Sequence, residues 1–279
     1  MSRGRQAEMY LEHYKLREKP FNVTSDPCFL YLSKRHKEAF SHLIYGIKER
    51  KGFLEITGEV GTGKTTLCRA LLNQLDPQTK AAFIFNSDLS ELQILQAIIE
   101  DLNIKIKKKT KIEIFNQLNN FLIEQFRAGN NVILILDEAQ NLKPKVLEQL
   151  RMLSNLETEK EKLFQIILVG QPELRDKLNC PGLRQLRQRI SVRYHVFPLD
   201  RNEIADYINH RLRVAGSDGS VKFTENAIGK IYEYSNGVPR LINITSDKAL
   251  LLGFVLEASE INEEIIEKSI DEIEGKAAV

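Results

Sequence analysis

The chain has 279 residues, 42% hydrophobic and 28% charged, enough for one large α/β domain with a smaller one beside it. A formal net charge of +2 is too mild to argue for a nucleic-acid partner on its own. Cys28, Cys68 and Cys180 are odd in number and far apart; they have no metal-ligand spacing and argue against a disulfide framework, so a reducing, cytoplasmic setting is expected. No apolar segment follows the charged start, and the late apolar stretch 249–256 is too short to cross a bilayer, so no leader or spanning helix is expected.

The first 35 residues carry Phe21, Phe29, Leu30 and Tyr31 without helical spacing. Such a segment either covers an adenine ring or simply packs as an arm, and both uses are compatible. Phe21 and residues 30–32 are expected near the base. A helical pattern over 36–48 leads to a short apolar run, 53–57, and then to Gly58-Glu59-Val60-Gly61-Thr62-Gly63-Lys64-Thr65.

This is a complete phosphate-binding loop between a strand and a helix (66–75). Its glycines allow backbone angles closed to other residues, so successive N–H groups form an anion nest. Lys64 is expected at the β- and γ-phosphates and the Thr65 hydroxyl on Mg²⁺. Thr66 opens the helix whose positive end faces the phosphates.

Further apolar runs at 81–85, 132–137, 164–169 and 191–198 alternate with helical patterns at 91–102, 112–127, 144–156 and 172–178. This alternation predicts a parallel five-stranded sheet covered by helices on both faces. Asp137 and Glu138 end the third run at the sheet's C-terminal edge, where such folds bind ligands. Asp137 is expected in the Mg²⁺ shell and Glu138 as general base toward the attacking water. Gln171, after the fourth run, is placed to fix that water or sense the γ-phosphate.

The segment 183–190 is rich in cations, and an arginine there suits transfer-state charge on a neighbouring subunit's nucleotide. Arg189 is favoured and Arg187 comes second. After Pro198 the strands are expected to stop. Asp200 with Glu203, then Thr224 and Asn262, mark helix starts, giving a four-helix C-terminal domain. Within it, Gly237-Val-Pro-Arg240 opens a helix from which Arg240 would reach the γ-phosphate and couple lid closure to hydrolysis.

In this order the residues resemble AAA+ ATPases: Walker A 58–65, Walker B Asp137 and Glu138, sensor 1 Gln171, arginine finger Arg189 and sensor 2 Arg240. The N-terminal motifs 10–14, 19–21, 26–32 and 38–39, with Asp137-Glu-Ala-Gln-Asn141 and Gly170-Gln-Pro-Glu-Leu174, are similar to the ExeA/GspA type of the general secretion pathway. Pilus-assembly relatives of the MshM type and transposition ATPases of the TniB type share much of this pattern. The resemblance covers residues 8–273. It implies a P-loop αβα sandwich (36–199) with an N-terminal strap (1–35) and a helical lid (200–279).

It further implies Mg²⁺-dependent ATP hydrolysis to ADP and phosphate, in a homo-oligomeric ring such as a hexamer with nucleotide at subunit interfaces. The work done would be assembly of a secretion or pilus machine at the inner membrane, secretin assembly linked to peptidoglycan in the secretion case. In that group a transmembrane helix and a periplasmic peptidoglycan-binding region follow the ATPase region. Neither is found here, which leaves the cytoplasmic portion of a longer chain or a shorter relative with a membrane partner. The other reading is an ATP-dependent DNA-binding regulator of the TniB type, for which Lys105, Lys107, Lys108, Lys109 and Lys111 form a basic cluster.

Overall fold

The computed structural model describes residues 10–85, 88–106, 110–159 and 161–276. The chain forms two compact units. One comprises Lys34–Glu59 and Leu67–Val196; the other comprises the described part of Met1–Ser33, Val60–Thr66 and Phe197–Val279.

The first unit is built on a parallel sheet of strands β1 (Phe53–Gly58), β2 (Lys80–Ile84), β3 (Val132–Leu136), β4 (Gln165–Gly170) and β5 (Ile190–Val196), in the order β2-β3-β4-β1-β5. β1, β3 and β4 are buried along their whole length, as continuous apolar runs covered on both faces must be. Their registers are regular, with Ile135 beside Ile167 and Ile56 beside Val169. All strands run the same way, so the residues after Leu136, Gly170 and Gly58 emerge at one edge of the sheet.

The helices start where the chain supplies caps. Ser90 and Gln93 form a reciprocal capping box on Glu91–Asp101, and Thr110 accepts from the Glu113 N–H at the head of Lys111–Arg127. Proline occupies the first turn of Pro144–Leu153 and Pro172–Asn179, where a missing N–H costs nothing. The first of these is shorter than the 144–156 pattern predicts. It stops at Leu153, and the Ser154 hydroxyl after it donates to the Arg151 carbonyl at 2.7 Å. The cation-rich segment, unassigned by periodicity, folds as a 3₁₀ turn, Pro181–Leu183, and one helical turn, Arg184–Arg187.

Glu55 is the exception inside β1: a carboxylate 1% exposed, with Arg193 of β5 at 3.1 Å and Arg175 at 4.0 Å. Burial pushes its pKa up and the two guanidiniums pull it back.

After Phe197 the second unit forms the helices Ile204–Val214, Glu225–Ser235, Pro239–Val255 and Glu263–Ile273. The expected caps are in place: the Asp200–Glu203 box, Thr224 on the Ala227 N–H and Asn262 on the Ile265 N–H. The strands do not stop after Pro198, as the sequence pattern predicts. Lys222–Phe223 and Glu260–Ile261 pair in parallel, two residues each, too short to leave a periodic signal.

The N-terminal segment belongs to this unit. Arg211, 6% exposed, donates from Nη2 to the Asn22 carbonyl at 3.0 Å and from Nε to the Pro20 carbonyl, and its guanidinium lies over Phe29 at 4.8 Å. Phe21 is buried edge-on to Phe223, and Tyr31 meets Tyr207 and His210. For Phe21 the packing use of the segment holds: its ring is spent on the protein's own core. Leu30 and Tyr31 stay partly exposed.

Candidate functional site

The phosphate loop leaves β1 at Gly58 and enters the helix Lys64–Gln74. Gly61 and Gly63 take φ of +82° and +91°, angles that side chains resist, so the glycines sit where the nest needs them. Glu59 and Val60 are exposed, Thr62 is buried, and Thr65 and Thr66 are half-buried. Lys64 is 6% exposed; its charge is held at the head of a helix rather than spread into solvent.

Arg240, from the helix Pro239–Val255, touches this loop. Its N–H donates to the Gly61 carbonyl at 3.2 Å. A Cβ on Gly61 would stand 2.6 Å from the Cβ of Arg240. Gly61 is therefore required twice, by its angle and by the closeness of that helix.

At the edge of the sheet, β3 delivers Asp137 and Glu138. Asp137 is buried, and its N–H donates to the Ile84 carbonyl at 2.9 Å, which extends the β2–β3 ladder by one residue. Its carboxylate accepts from the Glu138 N–H at 2.9 Å. Glu138 itself is left-handed, φ 52° and ψ 38°, an uncommon place for a residue with a long side chain. The turn aims its carboxylate toward β4, where Gln171 Nε2 donates to Oε2 at 3.1 Å. Gln140 Nε2 donates to the same oxygen. The structure thus joins two of the expected residues, Glu138 and Gln171, and adds Gln140, which periodicity and charge do not single out. Its signal was present in the 137–141 motif, but Gln171, which it bonds across the two strand ends, lies 31 residues away in sequence.

Arg189 is half-buried and donates to the Ser154 hydroxyl at 2.8 Å and toward the Arg151 carbonyl at 3.5 Å. Arg187 donates to Asn179 at 3.2 Å. Each arginine has a partner within its own unit. Of the basic cluster, Lys107, Lys108 and Lys109 lie outside the described residues; Lys105 is in a loop, and Lys111 pairs with Glu91 at 2.8 Å. No helix among the described residues is long and apolar enough to cross a membrane. Cys28, Cys68 and Cys180 form no disulfide.

Residues 47–178 match the AAA domain family. General secretion pathway protein A of Aeromonas hydrophila is 42% identical over 268 residues, 96% of this chain and 49% of that protein, so the chain spans about half of its relative's length. Among solved structures, the Aeropyrum pernix ORC2 protein in its ADPNP-ADP complexes aligns with a TM-score of 0.69 at 17% identity, over 94% of this chain and 72% of that one. Cdc6p from Pyrobaculum aerophilum gives 0.67 at 20% identity, over 88% and 70%. At such identities these two show the fold alone, a P-loop α/β architecture with a helical C-terminal part. The chain thus carries an AAA domain over residues 47–178 and is similar along 96% of its length to General secretion pathway protein A, which supports an AAA+ ATPase of the ExeA/GspA type.

Proposed function

We propose that the chain binds ATP on the loop 58–65, hydrolyses it to ADP and phosphate, and uses the cycle to drive assembly of a secretion or pilus machine at the inner membrane. The observation that carries the catalytic half is the Glu138 carboxylate, set by a left-handed backbone at the end of β3 and held by amides from Gln171 and Gln140. A carboxylate so oriented takes the proton of an attacking water. Lys64 and the nest of N–H groups hold the phosphates; Arg240, bonded to Gly61, ties the helical unit to the same loop. Leu30 and Tyr31, partly exposed, remain the residues proposed for the base.

The donors fit Mg²⁺: the Thr65 hydroxyl and the Asp137 carboxylate are hard oxygen ligands, the type this ion takes beside phosphate. When bound, the ion neutralises charge on the β- and γ-phosphates. The secretion role rests on the name of the relative, and the inner-membrane partner, secretin and peptidoglycan links are its finer terms.

Replacing Lys64 with Ala is the test of the binding half. A titration with a fluorescent ATP analogue should show at least tenfold weaker binding; equal affinity would remove the loop as the site.

The ring reading assigns Arg189 to a neighbour's nucleotide, which requires it to exchange its bond to Ser154. Arg189→Ala is expected to lower turnover about 10³-fold, the scale of a trans-acting arginine. Mixing it with Lys64→Ala should restore part of the activity in a phosphate-release assay. No restoration would leave Arg189 as the pin on Ser154 that the structure contains.

A further inference from the structure

We infer that Gln140 is a positioning residue for Glu138, holding the carboxylate through an amide that it shares between β3 and β4. This rests on the ATPase reading above. Both ends of the amide are in use. Nε2 donates to Glu138 Oε2, and Oε1 accepts from the Gln171 N–H at 3.1 Å. Gln171 returns to Glu138 with its own side chain at 3.1 Å. The three residues close a ring of hydrogen bonds in which the Glu138 carboxylate cannot turn without breaking its bonds to both Gln140 and Gln171. The backbone of Gln140 is fixed as well, since Lys177 Nζ donates to its carbonyl and to that of Leu142, the latter at 3.0 Å.

Room for this amide is made by Gly170. A Cβ there would stand 2.7 Å from Gln140 Oε1 and 2.9 Å from Leu174 Cδ2. Gly170 has no positive φ, so what requires glycine is the approach of the amide and not the backbone angle. The motifs 137–141 and 170–174 therefore meet around this amide. The 3₁₀ turn Ala139–Asn141 would form without that amide, because its closing bonds, Asn141 N–H to Glu138 O and Leu142 N–H to Ala139 O, are backbone ones.

Two substitutions separate positioning from packing. Gln140→Leu removes both amide atoms at nearly constant volume. Gly170→Ala leaves Gln140 intact but pushes its flexible amide aside, while also crowding Leu174, so its urea midpoint is read beside its kcat. Both are expected to lower kcat about 10- to 100-fold, the scale of a misplaced catalytic group, with ATP affinity changed less than about twofold. The readout that a structural role would not move is taken in the Glu138→Gln background. A residue that acts only through the Glu138 carboxylate has nothing left to position there, so adding Gln140→Leu to Glu138→Gln should change the residual kcat by less than about twofold.

A kcat within about twofold of wild type in both Gln140→Leu and Gly170→Ala, or a loss from Gln140→Leu in the Glu138→Gln background as large as in wild type, overturns the inference. If Gln140→Leu fails to fold, Gly170→Ala decides, alone and in the Glu138→Gln background. Absence of turnover in the wild-type protein is a different result: it removes the ATPase reading, and this inference with it, before any variant is compared.

Discussion

Glu138→Gln is expected to keep ATP bound while turnover falls about 10²- to 10⁴-fold, the contribution of a positioned general base. The substitution is close to isosteric. A glutamine oxygen can still accept from Gln140 and Gln171, so the ring of hydrogen bonds at the ends of β3 and β4 is preserved. What is lost is the capacity to take a proton. The left-handed backbone at this position is set by the strand end and by the Asp137 carboxylate on the Glu138 N–H, neither of which changes. Phosphate release at saturating ATP reads the first effect and equilibrium titration the second. Turnover unchanged within a few-fold would take Glu138 out of the base role.

The second large effect is on stability. Gly237→Ala is expected to destabilise the helical unit by roughly 3–5 kcal/mol, among the larger costs of a single substitution. Gly237 has φ +76°, which costs an L-residue about 1–2 kcal/mol by itself. An alanine Cβ would also lie 2.0 Å from the Leu199 carbonyl oxygen, a backbone atom that cannot swing away. The crossing is tight because the Leu199 N–H donates to the Gly237 carbonyl at 2.9 Å. Moving one segment moves the other, and Arg240 follows three residues later with its N–H on Gly61. Urea unfolding should show a lower midpoint, and ATP affinity should fall with it. An unchanged midpoint would mean that the crossing relaxes freely.

How much of this was legible in the sequence depended on the length over which a signal repeats. The five strands have five or more residues each, and the polar turns after Gly58, Leu136 and Gly170 are what make the phosphate loop, Asp137 and Gln171 readable as a set. The capping boxes at Ser90 and Asp200 are local chemistry and equally plain. Lys222–Phe223 and Glu260–Ile261 have two residues each, and nothing in two residues distinguishes a strand from a loop. The N-terminal aromatics were visible, but not what they rest on. Arg211 resembles a surface cation on its helix, and only the fold shows it buried, holding the Pro20 and Asn22 carbonyls. Gln140 is the same case at the site: its role exists only because β3 and β4 are neighbours, which brings the 138–140 turn beside Gln171.

The central claim is that the loop 58–65 and Glu138 together make this chain an ATP hydrolase. Phosphate release by the purified chain in ATP and Mg²⁺ tests it most directly, with Lys64→Ala as the blank. Saturable release is expected that the blank lacks and that chelation of the metal abolishes. Equal release from both proteins, or none from either at any concentration of protein and ATP, would contradict it.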